Sequence, residues 1–463
     1  MPVPQPRSTP AHRGFPGLSD ALVEWLDGRQ IEEVECVVPD IVGIARGKAM
    51  PTGKYVQLTP TYLPVSIFFQ TITGEYAYIE REEYWTEIDL RLVPDIETAR
   101  AVPWASDVTV QVIHDLNWLD GRPVPFAPRN VLKRVLELYT AEGWRPVVAP
   151  ELEFYLTKRN TDADYPVEPP IGRTGRQGVG RQAYSISSVD EYEPIIEDIY
   201  DFLTAQGLEI DTIIQEGGAG QIEINLNHGD PLELADQVFV FKRTIREAAL
   251  RNDCYATFMA KPMANEPGSA MHLHQSVVDI NTGRNLFSND DGEVSDLFHG
   301  FLAGHQNHIA SVACLLAPYV NSYRRLVPGS SAPVNLEWGW DNRSVGLRIP
   351  NSDPPARRVE NRVVGADANP YLAIAACLAC GYLGMKAGLA PRPALTGNAY
   401  SSSQNPLPES LEEALRLFSA DRPVREVLGP EFCDLFGTVK RYEMLEFRQV
   451  ISPWEREHLL LNV

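Results

Sequence analysis

Four short segments alternate apolar and polar side chains, and their polar positions carry the same unusual residue types. Successive side chains of a strand point to opposite faces. In residues 147–156 Glu151 and Glu153 therefore share one face, and Leu152, Phe154 and Leu156 the other. In residues 221–227 the apolar face is Ile222, Ile224 and Leu226, with Glu223 opposite; Glu216 lies upstream behind Gly217, Gly218, Ala219 and Gly220. His272, His274 and Ser276 share a face in residues 271–276, as do Glu360 and Arg362 in residues 359–363. Any antiparallel sheet with one wet face produces a single strand of this kind. Four of them bearing Glu, His and Arg, where a plain wet face would show Lys, Thr and Ser, predict a sheet that gathers its chemistry on one side.

Glu151, Glu153, Glu216, Glu223 and Glu360 with His272 form an oxygen-rich ligand set with one imidazole. Such a set suits magnesium or manganese and argues against zinc. A second cluster is basic. Arg324, Arg325, Arg343, Arg348, Arg357, Arg358 and Arg362 fall close together in a chain whose 41 basic and 62 acidic residues give a net charge of −21. Alone they read as a salt-bridged surface. Beside a carboxylate metal site, forked guanidiniums read as clamps on phosphate or carboxylate oxygens. Metal plus arginine is the equipment of phosphoryl transfer. The chain has no GxxxxGK[ST] and no kinase motif set, and its acidity does not suit a nucleic-acid backbone or an anionic membrane surface.

A length of 463 residues suggests two to four domains, or one large domain with an appendage. Residues 1–19 read as a flexible Pro-rich tail with no secretory signal, 20–125 as a small strand-rich domain, and 126–463 as a larger α+β domain. Helices are expected over 18–26, 130–143, 192–206, 232–252, 296–316, 370–387 and 411–420. Long irregular stretches are expected at 158–188, 281–294 and 391–408. The longest mostly apolar run, 370–385, is shorter than the ~18–20 residues that span a bilayer. Six cysteines are too sparse for a disulfide framework. Cys377 and Cys380 sit at helical spacing in an Ala/Leu run and read as buried thiols. A reducing cytoplasm is the expected location.

These pieces lie among longer motifs: VPDIVGIARGKAM at 38–50, PELEFYL at 150–156, GQIEIN at 220–225, TFMAKP at 257–262 and GSAMHLHQS at 268–276. NSYRRLVPG at 321–329, DNRSVGLRIP at 341–350 and RVENRVVGADANPYLAIAA at 358–376 follow. In this order they resemble the glutamine synthetase superfamily, and within it the γ-glutamylputrescine (γ-glutamylpolyamine) synthetases. The resemblance implies an α+β fold with a small β-grasp-like N-terminal domain and a catalytic domain around a curved antiparallel sheet. It implies a dodecamer of two hexameric rings, each site closed by a neighbour. It also implies that ATP phosphorylates the γ-carboxylate of glutamate and that an amine then displaces phosphate. Glu153, Glu216 and Glu223 would hold the metal nearer glutamate; Glu151, His272 and Glu360 would hold the metal on the ATP phosphates, Mg²⁺ or Mn²⁺. Gly268, Arg325 and Arg362 resemble glutamate-binding positions, and Ser276, Arg343, Arg348 and Arg358 phosphate and nucleotide positions, Arg343 and Arg362 acting in catalysis.

The departures concern the amine. A flap glutamate of true glutamine synthetases is matched by Ser331, and an aspartate of the small domain by Thr71. An asparagine at the amino acid end of glutamate becomes Pro267, and Pro355 replaces a basic residue. Losing two carboxylates removes the attraction for a small cation and leaves room for an alkyl group. The expected partners are thus glutamate and a small organic amine, putrescine first. A monoamine such as ethanolamine, an alkylamine or an arylamine comes next, then ammonium, then a non-catalytic assembly role. Tyr400 has the spacing of a tyrosine adenylylated in some relatives, but Ser401, Ser402 and Ser403 do not match that loop.

Overall fold

The computed structural model describes residues 18–57, 60–79, 84, 86–329, 331–402 and 405–463. The expected tail lies outside them except for Leu18 and Ser19, as do Ser330 and Ser403. Ser19 caps the first helix, Asp20–Leu26, by accepting from the Leu22 N–H.

The N-terminal part forms a six-stranded sheet from β1 (Glu33–Pro39), β2 (Ala45–Pro51), β3 (Tyr62–Pro64), β4 (Asp89–Pro94), β5 (Arg100–Ala101) and β6 (Thr109–Asn117). Its order is β2-β1-β6-β4-β3, with β5 also on β6. The central pair β1 and β6 is parallel, and both strands are mostly buried.

The second sheet has eight strands: β7 (Trp144–Lys158), β8 (Ile210–Gln215), β9 (Gln221–Leu226), β10 (Cys254–Thr257), β11 (Met271–Asp279), β12 (Trp338–Trp340), β13 (Leu347–Ile349) and β14 (Val359–Asn361). The order is β12-β13-β14-β11-β7-β9-β8, with β10 on β7. The four segments of polar alternation are thus the consecutive neighbours β14, β11, β7 and β9. The pairing is antiparallel except between β12 and β13, which are parallel. There the expected all-antiparallel sheet fails: the chain loops back after β12, and the Asn342 amide ties that loop to the 391–408 stretch by donating to the Gly397 carbonyl at 2.9 Å.

Helices cover the apolar face. Asp296–Leu316 and Pro370–Ala387 approach closely enough that a Cβ on Gly304 would lie 2.1 Å from the Cys380 carbonyl oxygen, so glycine is required there. Pro370–Ala387 is long and apolar enough to cross a membrane, yet 78% of that window is buried in the protein. Cys377 and Cys380 are fully buried in it, and burial pushes both thiols up.

Arg129, 3% exposed and on the helix Pro128–Ala141, ties the N-terminal sheet to the helix Pro231–Arg251. Its guanidinium donates to Asp95 at 2.6 Å, Asp115 at 2.8 Å and Asp236 at 2.8 and 3.0 Å. The expected long helices are all present. Three more, Arg422–Leu428, Pro430–Phe447 and Pro453–Leu459, were not expected. Gly437, Thr438 and Lys440 break the apolar stripe of the second. Lys440 is buried there by pairing with Glu443 at 2.8 Å and lying 4.0 Å over the Tyr319 ring.

Candidate active site

Strand register assembles the site. Glu153 lies opposite Glu223, and Glu151 opposite both Asn225 and His272. His274 lies opposite Glu360, which in turn lies opposite Arg348. Each pair shares a face, so the polar positions of four strands form one continuous patch. Glu153, Glu223, His272 and Glu360 are all buried.

Two groups of possible ligand atoms lie within 4.8 Å of one another: Glu151, His272 and Glu360, and Glu153, Glu223 and His272. The first is the expected triple. The second differs from expectation, with His272 in place of Glu216. Glu216 follows the end of β8, in a turn outside the ladder, where its carboxylate accepts from the Gly217 N–H at 3.3 Å. Its half-buried side chain is pushed up by burial, against the Gly217 N–H and then Arg343 and Arg362.

The electrostatics favour a cation. Burial and the Glu216 carboxylate push Glu153 up to about 8, and burial with Glu153, Glu151 and Glu216 pushes Glu223 up to about 9. Burial pushes His272 down to about 4, so its ring is neutral and keeps a lone pair. Burial would also raise Glu151, but hydrogen bonds to His272 and His274 outweigh it and hold Glu151 well below the usual range. Glu360 is likewise held down, against its burial, by Arg362 and the two histidines. Its oxygens contact Arg362 and, at 2.7 Å, Arg348, and each keeps a second lone pair. Crowded buried carboxylates beside a neutral imidazole fit Mg²⁺ or Mn²⁺. Without metal, the protonated forms of Glu153 and Glu223 are favoured by folding. Their stabilisation is present below the unfolded value of about 4.3 and is lost as pH rises through about 8–9. The metal-free protein should therefore melt at lower temperature at pH 9 than at pH 6, and Mn²⁺ should recover most of the loss; differential scanning calorimetry checks this.

His274 is a site residue that sequence reasoning passed over, although the alternation marking His272 marks it equally. Its Nδ1 accepts from Arg358 Nε at 3.1 Å, so Nε2 carries the proton donated to Glu151 at 2.7 Å. Arg358, His274 and Glu151 form a relay along the wall of a cavity of about 840 Å³ that also includes Ser276, Asn225 and Pro355. Arg357 does not belong to it: its guanidinium holds the 281–294 loop through Ser288 Oγ and the Gly292 carbonyl. Arg348 bridges Glu360 and Asp341. Arg343 is exposed on a separate cavity of about 520 Å³ beside Trp340 and Thr396.

Buried Arg325 donates to the Val363 and Arg362 carbonyls, both at 2.8 Å. Arg362 is buried, and its Nε, itself shut off from solvent, has no protein partner. Gly268 has no room for a side chain: a Cβ would lie 2.6 Å from both the Ala260 carbonyl oxygen and Arg325 Cγ. Ser331 is exposed with φ +65°, and the adjacent Ala332 carbonyl accepts from Tyr400 Oη at 2.9 Å. Thr71, expected to act across the subunit boundary, lies away from its own chain's cluster. Thr71 is fully buried in a turn, its hydroxyl contacting Thr73 and the Glu75 carbonyl, while exposed Ile72 uses its N–H to dock on Glu443. Two further residues were missed. Arg181 and Tyr184, with φ of +71° and +65°, donate their N–H groups to the Gly217 and Gln215 carbonyls and carry the 158–188 loop over Glu216.

The carboxylates, imidazoles and guanidiniums thus share one face of the sheet. The glutamine synthetase catalytic domain matches residues 125–459, and the chain belongs to that family. It is 36% identical over 435 residues to the gamma-glutamylputrescine synthetase PuuA of Escherichia coli (strain K12), covering 93% of this chain and 92% of that one. It is 31% identical over 446 residues to a glutamate–isopropylamine ligase of a Pseudomonas species, covering 93% and 95%. Among solved structures, ligand-free GmaS superposes with a TM-score of 0.79 at 27% identity, covering 96% of this chain and 99% of that one.

Proposed function

We propose that this chain joins glutamate to an organic amine at the expense of ATP, with putrescine or a related polyamine as the first candidate. The observation that carries the reading is the single polar face shared by β14, β11, β7 and β9, bounded by Arg358 on one side and Arg325 and Arg362 on the other. The similarity to an amine-specific ligase over nearly the whole chain supports it.

In this reading nucleotide occupies the cavity lined by Ser276 and Arg358, and the relay through His274 fixes the orientation of Glu151. Glutamate lies against Gly268, with the Arg325 and Arg362 guanidiniums on the side of its oxygens. Glu151, Glu153, Glu223, His272 and Glu360 would hold Mg²⁺ or Mn²⁺, with Glu216 completing the set from the rim. Bound there, the cations would neutralise phosphate oxygens during transfer. A γ-carboxylate oxygen of glutamate attacks the terminal phosphorus and ADP leaves. The amine nitrogen then attacks the γ-carbon, loses a proton, and phosphate leaves. Arg343 and Arg348 compensate phosphate charge at the opening.

A monoamine is the second reading. Exposed Ser331 and inward-turned Thr71 offer no carboxylate for a second ammonium group, and the likeness to an isopropylamine ligase supports it. Phosphate release from ATP, Mg²⁺ and glutamate against a panel of putrescine, ethanolamine, isopropylamine, an arylamine and ammonium separates the readings. The best organic amine should exceed ammonium in kcat/KM by at least tenfold. Equal use of ammonium would make the chain an ordinary glutamine synthetase; no turnover with any amine would reject the ligase reading.

A further inference from the structure

Gln221 opens β9 on the same face as Glu223 and is 1% exposed. Its amide cannot be turned the other way. Oε1 accepts the Gly218 N–H at 3.0 Å, so the NH₂ group must face the opposite side. There it donates to Glu153 Oε2 at 3.2 Å and to the Gly268 carbonyl at 3.0 Å, and lies 3.4 Å from Ser269 Oγ. The Ala270 N–H also donates to Glu153 Oε2, at 2.9 Å. Two donors on Oε2 leave Oε1 facing His272, 4.0 Å from Nδ1.

We propose that Gln221 is a positioning residue that aims Glu153 at the metal and holds the Gly268 backbone against glutamate through one amide. The inference rests on the proposed ligase reading for the identity of the substrate. A carboxylate anchored on one oxygen presents the other in a fixed direction, so ligand geometry depends on the anchor. Because the same NH₂ group reaches the Gly268 carbonyl, a shift of the amide moves the metal ligand and the substrate cradle together. Gln221→Glu keeps the shape but places an oxygen against Glu153 Oε2. Gln221→Leu keeps most of the volume and removes both donors.

The test is calorimetric titration of the full-length, nucleotide-free protein with MnCl₂, alongside KM for glutamate. Both variants should bind Mn²⁺ 10–100-fold more weakly, the usual cost of losing a residue that orients a ligand, and KM for glutamate should rise at saturating Mn²⁺. A purely structural role would lower the melting temperature and leave Mn²⁺ affinity unchanged in the folded protein. Gln221→Glu, nearly isosteric, keeps the test usable if Gln221→Leu does not fold. Unchanged Mn²⁺ affinity in the folded variants, with affinity lost in Glu153→Ala, would overturn the role of Gln221 and leave the metal site standing. Unchanged affinity in Glu153→Ala as well would overturn both.

Discussion

Glu153→Ala and His272→Ala are each expected to lower turnover by several orders of magnitude while the protein stays folded. Glu153 belongs to one group of possible ligand atoms and His272 to both. Losing His272 therefore weakens both cation positions at once. It also removes the neutral ring that separates Glu151 from Glu153, so the carboxylates face one another with nothing between them. In a buried site, uncompensated charge is costly, and phosphoryl transfer without neutralised phosphate oxygens loses its main source of stabilisation. Steady-state phosphate release measures the loss, and calorimetric Mn²⁺ titration measures metal binding. His272→Ala should affect metal binding more than Glu216→Ala, because Glu216 stands in a turn outside the strand ladder. Near-normal turnover in Glu153→Ala and His272→Ala would show that the polar face is not the working surface.

Ser331→Glu is expected to shift preference toward ammonium and away from bulky amines. Ammonium must be held as a cation and lose a proton before attack, and a flap carboxylate does both. With serine there, a bare ammonium lacks a partly buried charge contact worth ~1–3 kcal/mol. An organic amine recovers affinity by burying methylenes at ~0.8 kcal/mol each. Ser331 is exposed and already holds a left-handed backbone, so the added side chain meets space and little new strain. The measurement is the ratio of kcat/KM for ammonium to that for the best organic amine. A ratio unchanged in Ser331→Glu would remove Ser331 from the amine pocket. Thr71 offers no matching experiment from its own chain, since its hydroxyl is already engaged in a buried turn.

Much of this site was legible because the side-chain period of a strand is two. Once Glu151, Glu153, Glu223, His272 and Glu360 lie on polar faces of apolar-backed strands, pairing those strands must bring them together. His274 was equally visible, and only its pairing with Arg358 and Glu151 distinguishes it from a bystander. The helices over 296–316 and 370–387 were also plain, because long apolar stretches with caps have few other solutions. Residues in turns were not legible in the same way. Glu216 and Thr71 were assigned by likeness, because no ladder fixes a turn: Glu216 stands beside the ladder, close enough to raise Glu153, and Thr71 lies away from its own chain's cluster. The arginines looked alike in sequence and separated in space, Arg357 onto a loop and Arg348 and Arg362 onto Glu360. The sequence by itself determined which faces carry the chemistry, because alternation is a local property of the backbone. Only the tertiary structure decided which carboxylates share a cation position, which way the Gln221 amide points and which guanidiniums reach Glu360. Those depend on strand order, register and hydrogen-bond partners distant in the chain.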